Sequence, residues 1–284
     1  MKDALNTFSE IAQSDIDLAI LPIGATEQHG SYLPLSTDSL EAEAVARGVA
    51  ERLDAFMLPV LPFSNSEAHA GFRGSISLSP TTLLAVVKEL ALDLMGQGFR
   101  RVVLLNMHGG NLILRPAVRE INQHANTGRA IVVQPFSLAA TALSQIFPNY
   151  HHEAHAGGFE ASLIMTIAPD TIKGTAADAV PDAPLEAFDY LPMSCLSPSG
   201  IWGEPSQASR ERGERALEVM IEQTTTHTHR ADVSADRCGT RKRLRRRWLV
   251  GYTAVVMKTG VFHGCTRRAN SGFHTEPSIE SEIQ

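Results

Sequence analysis

The chain of 284 residues concentrates carboxylate and imidazole side chains in three short clusters. In the first cluster, Glu27 and His29 are two residues apart, and Asp38 follows nine residues after His29. Side chains two residues apart in an extended backbone point to the same face, so Glu27 and His29 can bind one cation. Mixed nitrogen and oxygen ligands suit Zn²⁺, Mn²⁺ or Fe²⁺. This cluster therefore predicts a metal site.

The second cluster contains His108 within Asn-Met-His-Gly-Gly-Asn at 106–111. The two glycines allow a sharp turn, and Asn111 is placed to cap the helix that follows. The third cluster has three histidines and two glutamates within ten residues: His151, His152, Glu153, His155 and Glu160. Burying so many ionisable groups is costly unless something binds them, and a metal is the economical explanation. Any one of these residues alone is more often a solvated side chain or a helix cap.

His69 lies in a Gly-rich segment and has two equal interpretations, a substrate-pocket residue or a simple loop residue. Three further histidines, His124, His227 and His229, lie on polar stretches and are expected at the surface.

Strand-like and helix-like segments alternate along the chain, and this order predicts a mainly parallel sheet with helices on both faces. Strands are predicted at 16–23, 56–61, 101–106 and 130–134, helices at 39–53, 81–97 and 112–124, and a buried helix or strand at 159–167. The first two clusters directly follow predicted strands. We therefore expect them to meet at the carboxyl edge of the sheet, where open α/β sheets place their chemistry.

Charge divides the chain near Arg230. Residues 231–284 have a net charge of +5 and residues 1–230 one of −11, within a total of −6. We predict an acidic globular domain over 1–230 and a basic C-terminal extension over 231–284, centred on the Arg/Lys-rich run 241–247. The apolar segment 248–257 is too short to cross a bilayer. Three irregularly spaced cysteines do not suggest a disulfide framework, so the expected location is the cytoplasm.

Four motifs follow one another along the chain. They are Pro22-x-Gly24-x-x-Glu27-x-His29-Gly30, Leu33-Pro34-Leu35-x-Thr37-Asp38, Asn106-x-His108-Gly109-Gly110-Asn111 and His155-Ala156-Gly157-x-x-Glu160-Ala161-Ser162. In this order they resemble the creatininase family of metal-dependent amidohydrolases, over roughly residues 15–230. The segment Gly200-Ile201-Trp202-Gly203-Glu204-Pro205 resembles the closing motif of that family.

The resemblance implies a three-layer α/β/α sandwich, a centre with one or two divalent metals per subunit (Zn most expected, Mn or Fe as alternatives), and commonly a homohexamer. It also implies hydrolysis of a small-molecule amide with metal-activated water. By position, the metal ligands are Glu27, His29, Asp38, His108 and Glu160, with Asp38 as the natural bridge. His155 matches the catalytic histidine, which moves the proton from water to the departing nitrogen.

Two departures separate this chain from creatininase itself. Creatininase has glutamates where this chain has Gly110 and Ala154. The first departure removes a ligand and leaves more of the coordination to Glu160, and the second removes a catalytic partner that Glu153 is the candidate to replace. No Trp lies between residues 15 and 200 to stack on creatinine. The expected substrate is therefore another cyclic amide, a formamide or a peptide-like amide.

The alternative hypothesis is a non-catalytic metal-binding protein whose basic tail binds nucleic acid or an acidic partner. Nucleic-acid binding is disfavoured because no recognisable nucleic-acid fold surrounds the basic run. An open coordination position would distinguish the enzyme, since catalytic sites keep room for water. Substrate specificity is expected to reside in the loops 64–74 and 183–202.

Overall fold

The structure, a computed structural model, describes the backbone of residues 1–237 and the side chains of residues 1–231. The chain divides into two compact units, Met1–Asp232 and Val233–Gln284. The basic run 241–247, the apolar segment 248–257 and most of the predicted extension therefore lie outside the described residues. Within the described part, no helix is both long enough and apolar enough to cross a membrane.

Five strands form one parallel sheet in the described part of the chain. They are β1 (Lys2–Asp3), β2 (Leu18–Ile23), β3 (Phe56–Met57), β4 (Arg101–Asn106) and β5 (Arg129–Val133). Their order across the sheet is β1-β3-β2-β4-β5. In the central pair, Leu18 lies opposite Arg101 and Ile23 opposite Asn106. Because β2 and β4 end at the same level, the segments that follow them start side by side.

Helices and 3₁₀ turns connect the strands. The helices are α1 (Phe8–Ala12), α2 (Thr37–Leu53), α3 (Pro80–Gly96), α4 (Leu114–His124), α5 (Pro135–Leu138), α6 (Ala140–Ile146), α7 (Gly158–Ile167), α8 (Met193–Leu196) and α9 (Arg210–Arg237). The 3₁₀ turns are Glu67–His69, Tyr150–His152, Pro169–Thr171, Leu185–Asp189 and Pro205–Gln207. The start of α3 follows the usual sequence rules, since Ser79 accepts a hydrogen bond from the Thr82 N–H and Pro80 takes the first helical position.

Alternate residues of the central strands face opposite cores, as a sheet that is covered on both sides requires. Leu18 and Ile20 of β2 pack with α2, α6, α7 and α9. The next residues along, Ala19 and Leu21, pack with α3 and α4. This arrangement confirms the predicted three-layer α/β/α sandwich with a parallel central sheet.

The predicted strand 56–61 is shorter in the structure. Pro59 has no N–H to give to a neighbouring strand, and it restricts the residue before it, so regular pairing stops at Met57. The segment nevertheless stays beside β2, because the Leu58 and Leu61 N–H groups donate to the carbonyls of Ile20 and Pro22.

Two further sequence expectations are decided by the structure. Residues 159–167, predicted as helix or strand, belong to helix α7. The prediction that Asn111 caps the following helix was wrong, since α4 begins at Leu114 without a side-chain cap. Asn111 instead accepts a hydrogen bond from the Asn65 N–H at 3.0 Å and donates one to Asn106 at 2.8 Å.

Helix α9 crosses α7 at Gly213, where a Cβ would overlap the carbonyl oxygen of Ser162 and the Oγ1 of Thr166. We expect Gly213→Ala to lower the free energy of unfolding by about 1–3 kcal/mol, because the two helices must separate to admit the methyl group. Urea denaturation followed by circular dichroism measures this change.

The matched control is Gly96→Ala at the end of α3, where a Cβ would meet nothing within 4 Å. That substitution should be neutral or stabilising by up to about 1 kcal/mol, the usual helix preference for Ala over Gly. Equal behaviour of the two variants would contradict close packing at Gly213.

Candidate metal centre

The predicted ligands come from four separate elements and meet at the carboxyl edge of the sheet. Glu27 and His29 lie in the loop after β2, and His108 lies two residues after β4. Asp38 is in the first turn of α2, and Glu160 is in the first turn of α7. The side chains of Glu27, His29, Asp38 and His108 are buried, and that of Glu160 is 16% exposed.

One group of ligand atoms contains Glu27, Asp38 and His108, and these atoms all lie within 4.8 Å of one another. The Nδ1 of His108 is 2.9 Å from Asp38 Oδ2 and 3.3 Å from Glu27 Oε1. We call this group the first triad. It offers a divalent cation two carboxylates and one imidazole.

A second group contains His29, Asp38 and Glu160, again with ligand atoms within 4.8 Å of one another. The Nε2 of His29 is 3.1 Å from Asp38 Oδ1 and 3.9 Å from Glu160 Oε2. We call this group the second triad. Asp38 takes part in both triads through different oxygens, which is the geometry of a bridging carboxylate.

Backbone carbonyls orient the two ligand histidines. The Nδ1 of His29 lies 3.1 Å from the Glu27 carbonyl, and the Nε2 of His108 lies 2.8 Å from the Asn65 carbonyl. A carbonyl only accepts, so each of these ring nitrogens carries the proton and donates it. The other nitrogen of each ring then faces the carboxylates. Metal-binding histidines are typically held by such a partner on their second nitrogen.

The pKa values of the carboxylates in the cluster are shifted by burial and by the neighbouring charges. Burial raises the pKa of Glu27 to about 7, with Asp38 adding to the shift and His108 opposing it. Burial likewise raises the pKa of Glu160 to about 7, although His29 opposes the shift. Asp38 behaves differently: despite its burial, His29 and His108 hold its pKa well below the ordinary value.

The imidazoles respond in the opposite direction. Burial by itself lowers the pKa of His29, but the carboxylates of Asp38, Glu160 and Glu27 outweigh it and raise that pKa to about 10. For His108, burial is outweighed by Glu27 and Asp38, and the pKa rises to about 9. The two imidazoles therefore supply positive charge that a bound cation would replace.

The residues present fit a divalent cation. Glu27 Oε2 is buried and has no hydrogen-bond partner, which is costly for a carboxylate oxygen in the interior. Among the residues that the structure describes, no Lys or Arg lines the cavity around the cluster. The donor set of carboxylates and neutral imidazoles is the one that first-row divalent metals and Zn²⁺ prefer.

His155 lies beside the cluster with one nitrogen occupied. Its Nε2 is 2.5 Å from the Gln28 carbonyl, so Nε2 carries the proton and Nδ1 is left with its lone pair, 3.7 Å from Glu27 Oε1. Burial lowers the pKa of His155 well below its ordinary value, and the positive charge of His29 adds to the shift. The ring is therefore a neutral imidazole that is able to accept a proton at Nδ1. His155 also belongs to a third group of possible ligand residues, with Glu27 and His29.

His69, left open by the sequence, lies in the pocket. The Gln28 side-chain oxygen accepts from the Gly30 N–H at 2.9 Å, which turns the Gln28 Nε2 toward His69 Nδ1, also at 2.9 Å. Because Nδ1 accepts this bond, the His69 proton is on Nε2, 3.3 Å from Glu27 Oε1. The ring also lies against His155, with centroids 4.3 Å apart. His69 thus holds the carboxylate of Glu27 in place.

The third sequence cluster separates in the structure. His155 and Glu160 reach the centre, whereas His151 and His152 are exposed. The carboxylate of Glu153 accepts the N–H groups of Gly158 at 2.9 Å, Phe159 at 3.0 Å and Glu204 at 3.1 Å. These bonds place Glu153 at the positive end of α7. As expected, His124, His227 and His229 are exposed.

A cavity of about 910 Å³ opens over the cluster. Both loops expected to set specificity contribute to its lining, including Asn65 and His69 from the first and Leu185, Phe188 and Leu191 from the second. Phe136, Tyr150 and Tyr190 add aromatic surface. The cavity therefore combines a charged floor with an apolar and aromatic wall, the usual composition of a small-ligand site.

Sequence reasoning missed two residues of the centre, Glu41 and Gln28. Glu41 is buried on α2, one turn after Asp38. A charged residue on the buried face of a helix could have indicated its role. Because the helix was predicted to begin at residue 39, Asp38 was placed outside it, and the three-residue separation of Asp38 and Glu41 on one helix face was not recognised. Gln28 lies between two predicted ligands, and nothing in the sequence marks its bridging role.

Comparisons with known proteins identify the family of this chain. The model of the creatininase (creatinine amidohydrolase) family matches residues 5–227 of this chain. Creatinine amidohydrolase of Pseudomonas putida is 31% identical over 232 residues, which are 75% of this chain and 89% of that protein. Mycofactocin precursor peptide peptidase of Mycolicibacterium smegmatis is 30% identical over 220 residues, covering 73% of this chain and 83% of that protein.

Solved structures give the same result. One named "Creatininase Mn" superposes with a TM-score of 0.70 at 26% identity, covering 81% of this chain and 98% of that chain. A glutamate-to-glutamine mutant creatininase of the Zn-Zn type gives a TM-score of 0.67 at 25% identity, covering 81% and 97%. The family model matches most of this chain, residues 5–227, and the relatives agree with it. This chain therefore belongs to the creatininase family.

Proposed function

We propose that this metal-dependent amide hydrolase binds two divalent cations, one at each triad, and cleaves a C–N bond next to His155. The observation that carries the proposal is the shared carboxylate of Asp38, whose two oxygens face the two triads. Relatives named for creatinine, for a precursor peptide and for a formylamino pyrimidine support a C–N bond as the target.

Divalent cations in the triads would activate water and polarise the substrate carbonyl. His155 takes a proton at Nδ1 from the attacking water, because this nitrogen is unprotonated and faces the centre. The Gln28 carbonyl holds the opposite nitrogen and fixes the ring. The charge that His155 then gains is offset by the Glu27 carboxylate, 3.7 Å away. The same proton passes from His155 to the departing nitrogen.

For Glu153, the two carboxylate oxygens accept three backbone N–H groups, which supports a positioning role at the start of α7. The catalytic role suggested by its place next to Ala154 stays a prediction.

We propose zinc as the most expected metal, with manganese or iron as alternatives, since the ligand types suit all three. The relatives include structures named for both Mn and Zn-Zn forms. The proposed substrate is a small cyclic amide, a formamide or a peptide-like amide other than creatinine. The aromatic wall of Phe136, Tyr150 and Phe188 supports a substrate with an apolar portion.

A homohexamer in the cytoplasm, with the hydrolase domain at 1–230 and a separate basic extension, also remains our proposal. The alternative of a non-catalytic protein that acts through its tail depends on residues outside the described part. The neutral His155 beside the ligand cluster favours catalysis.

The first test is elemental analysis of protein purified without chelator, followed by assays of cyclic amides, formamides and short peptides on the same sample. Two equivalents of metal with chelator-sensitive hydrolysis support the proposal. Protein that binds no cation after reconstitution contradicts it.

We expect cation affinity to fall as the pH falls from 8 to 6. In metal-free protein, Glu27 and Glu160 have pKa values near 7, so they take up protons in this interval and compete with the cation. His29 and His108, with pKa values of about 10 and 9, must release their protons on binding. Calorimetry in buffers of different ionisation enthalpy measures both effects. Binding without proton release would be inconsistent with these ligands.

His155→Ala should retain both cations and lose turnover by about 10²–10⁴-fold, the usual contribution of a general acid–base group. Metal analysis and kcat on the same preparation give the two readouts. His152→Ala, an exposed neighbour, is the control and should match the wild type. If His155→Ala lost a cation, the residue would have to be reassigned as a ligand.

Asp38→Ala should release both cations, because the two triads share this carboxylate. Metal content after dialysis is the measurement, with circular dichroism to confirm that the protein remains folded. Glu51→Ala, at an exposed position of the same helix, should keep both. Loss of a single equivalent in the Asp38 variant would mean that Asp38 does not bridge.

A further inference from the structure

Glu41 is a buried carboxylate that the mechanism above does not use. It lies on α2 three residues after Asp38, so the two side chains share one face of the helix. Its exposure is 1%, and its Oε1 has no hydrogen-bond partner. It lines the same cavity as Asp38 and Glu160. A carboxylate buried in this way is rare unless something compensates its charge.

The surroundings of Glu41 belong to the second triad. Glu41 lies on α2, the helix that supplies Asp38, and α2 packs against α7, the helix that supplies Glu160. Burial raises the pKa of Glu41 well above the ordinary value; Glu160 and Asp38 add to the shift, and His29 opposes it. These three neighbours are the members of the second triad. We therefore expect the cation that compensates the charge of Glu41 to bind at the second triad.

Charge balance supports the same conclusion. Two divalent cations carry four positive charges, and the carboxylates of Glu27, Asp38 and Glu160 carry three negative charges. An ionised Glu41 would balance the remaining positive charge. No Lys or Arg of the described residues lines the cavity to pair with Glu41 instead. Nor does position 110, after β4, have space for another carboxylate, since a Cβ on Gly110 would lie 2.5 Å from His108 Nε2 and 2.6 Å from the Asn65 carbonyl oxygen.

We propose that Glu41 is the charge-balancing carboxylate of the second cation position, on which occupancy of that position depends. The atoms of Glu41 are outside the three groups whose ligand atoms all lie within 4.8 Å of one another. Glu41 is therefore a positioning residue that acts from beyond the ligand triad. This inference rests on the proposed two-cation function.

The test is a calorimetric titration of the full chain. Bound metal is first removed with chelator, and Zn²⁺ or Mn²⁺ alone is then added. The wild type should bind two equivalents. In Glu41→Gln, which keeps the size of the side chain and removes its charge, we expect the second equivalent to weaken about 10–100-fold, the usual effect of losing a group just outside the ligands. The first equivalent should stay within about threefold of the wild type.

Two further variants separate charge from packing. Glu51→Gln, exposed on the same helix, should bind both equivalents as the wild type does. Glu41→Asp keeps the charge and should retain the second equivalent better than Glu41→Gln. Equal weakening in the Asp and Gln variants would overturn the proposal in favour of a packing effect, and so would wild-type affinity in Glu41→Gln. A wild type that binds fewer than two equivalents would instead overturn the two-cation function itself.

Discussion

The arrangement of the centre depends on one constraint: four carboxylates converge in a cavity that, within the described part of the chain, no Lys or Arg lines. Three of them, Glu27, Asp38 and Glu41, are almost completely buried. Isolated buried charges cost several kcal/mol each by general estimates, and burial keeps the pKa values of Glu27 and Glu160 raised despite the histidines nearby. A fold that retains such a cluster gains from it only when cations bind. The hydrogen bonds around the cluster then serve to keep the ligands in place.

The parallel sheet makes this convergence achievable. The level ends of β2 and β4 place the loops with Glu27 and His108 side by side, and α2 is packed directly onto the first of these loops. A Cβ at Gly24 would lie 2.5 Å from the Cα of Ser39, so only glycine allows α2 to approach so closely and to deliver Asp38. Rigid elements, rather than flexible loops alone, therefore set the distances between ligands.

Periodicity and motif order were sufficient to predict the layers, the two central strands and the convergence of the clusters after them. They were not sufficient where a tertiary contact decides. Asn111 has a typical capping residue type, yet Asn65 and Asn106 engage its side chain first. The roles of His69 and Gln28 depend on a chain of hydrogen bonds between segments distant in sequence, a relation that local patterns do not contain.

The departure at Gly110 supports the proposal that the centre takes its ligands from other elements on the same fold. In this chain the His108 ring donates to the Asn65 carbonyl across the space that a side chain at Gly110 would fill. Fixing His108 in this way leaves no space for a carboxylate side chain at position 110. The second triad instead takes Glu160 from α7, with Glu41 behind it on α2. Both residues lie in helices that pack against the same face of the sheet, so the negative charge is provided from that helical layer.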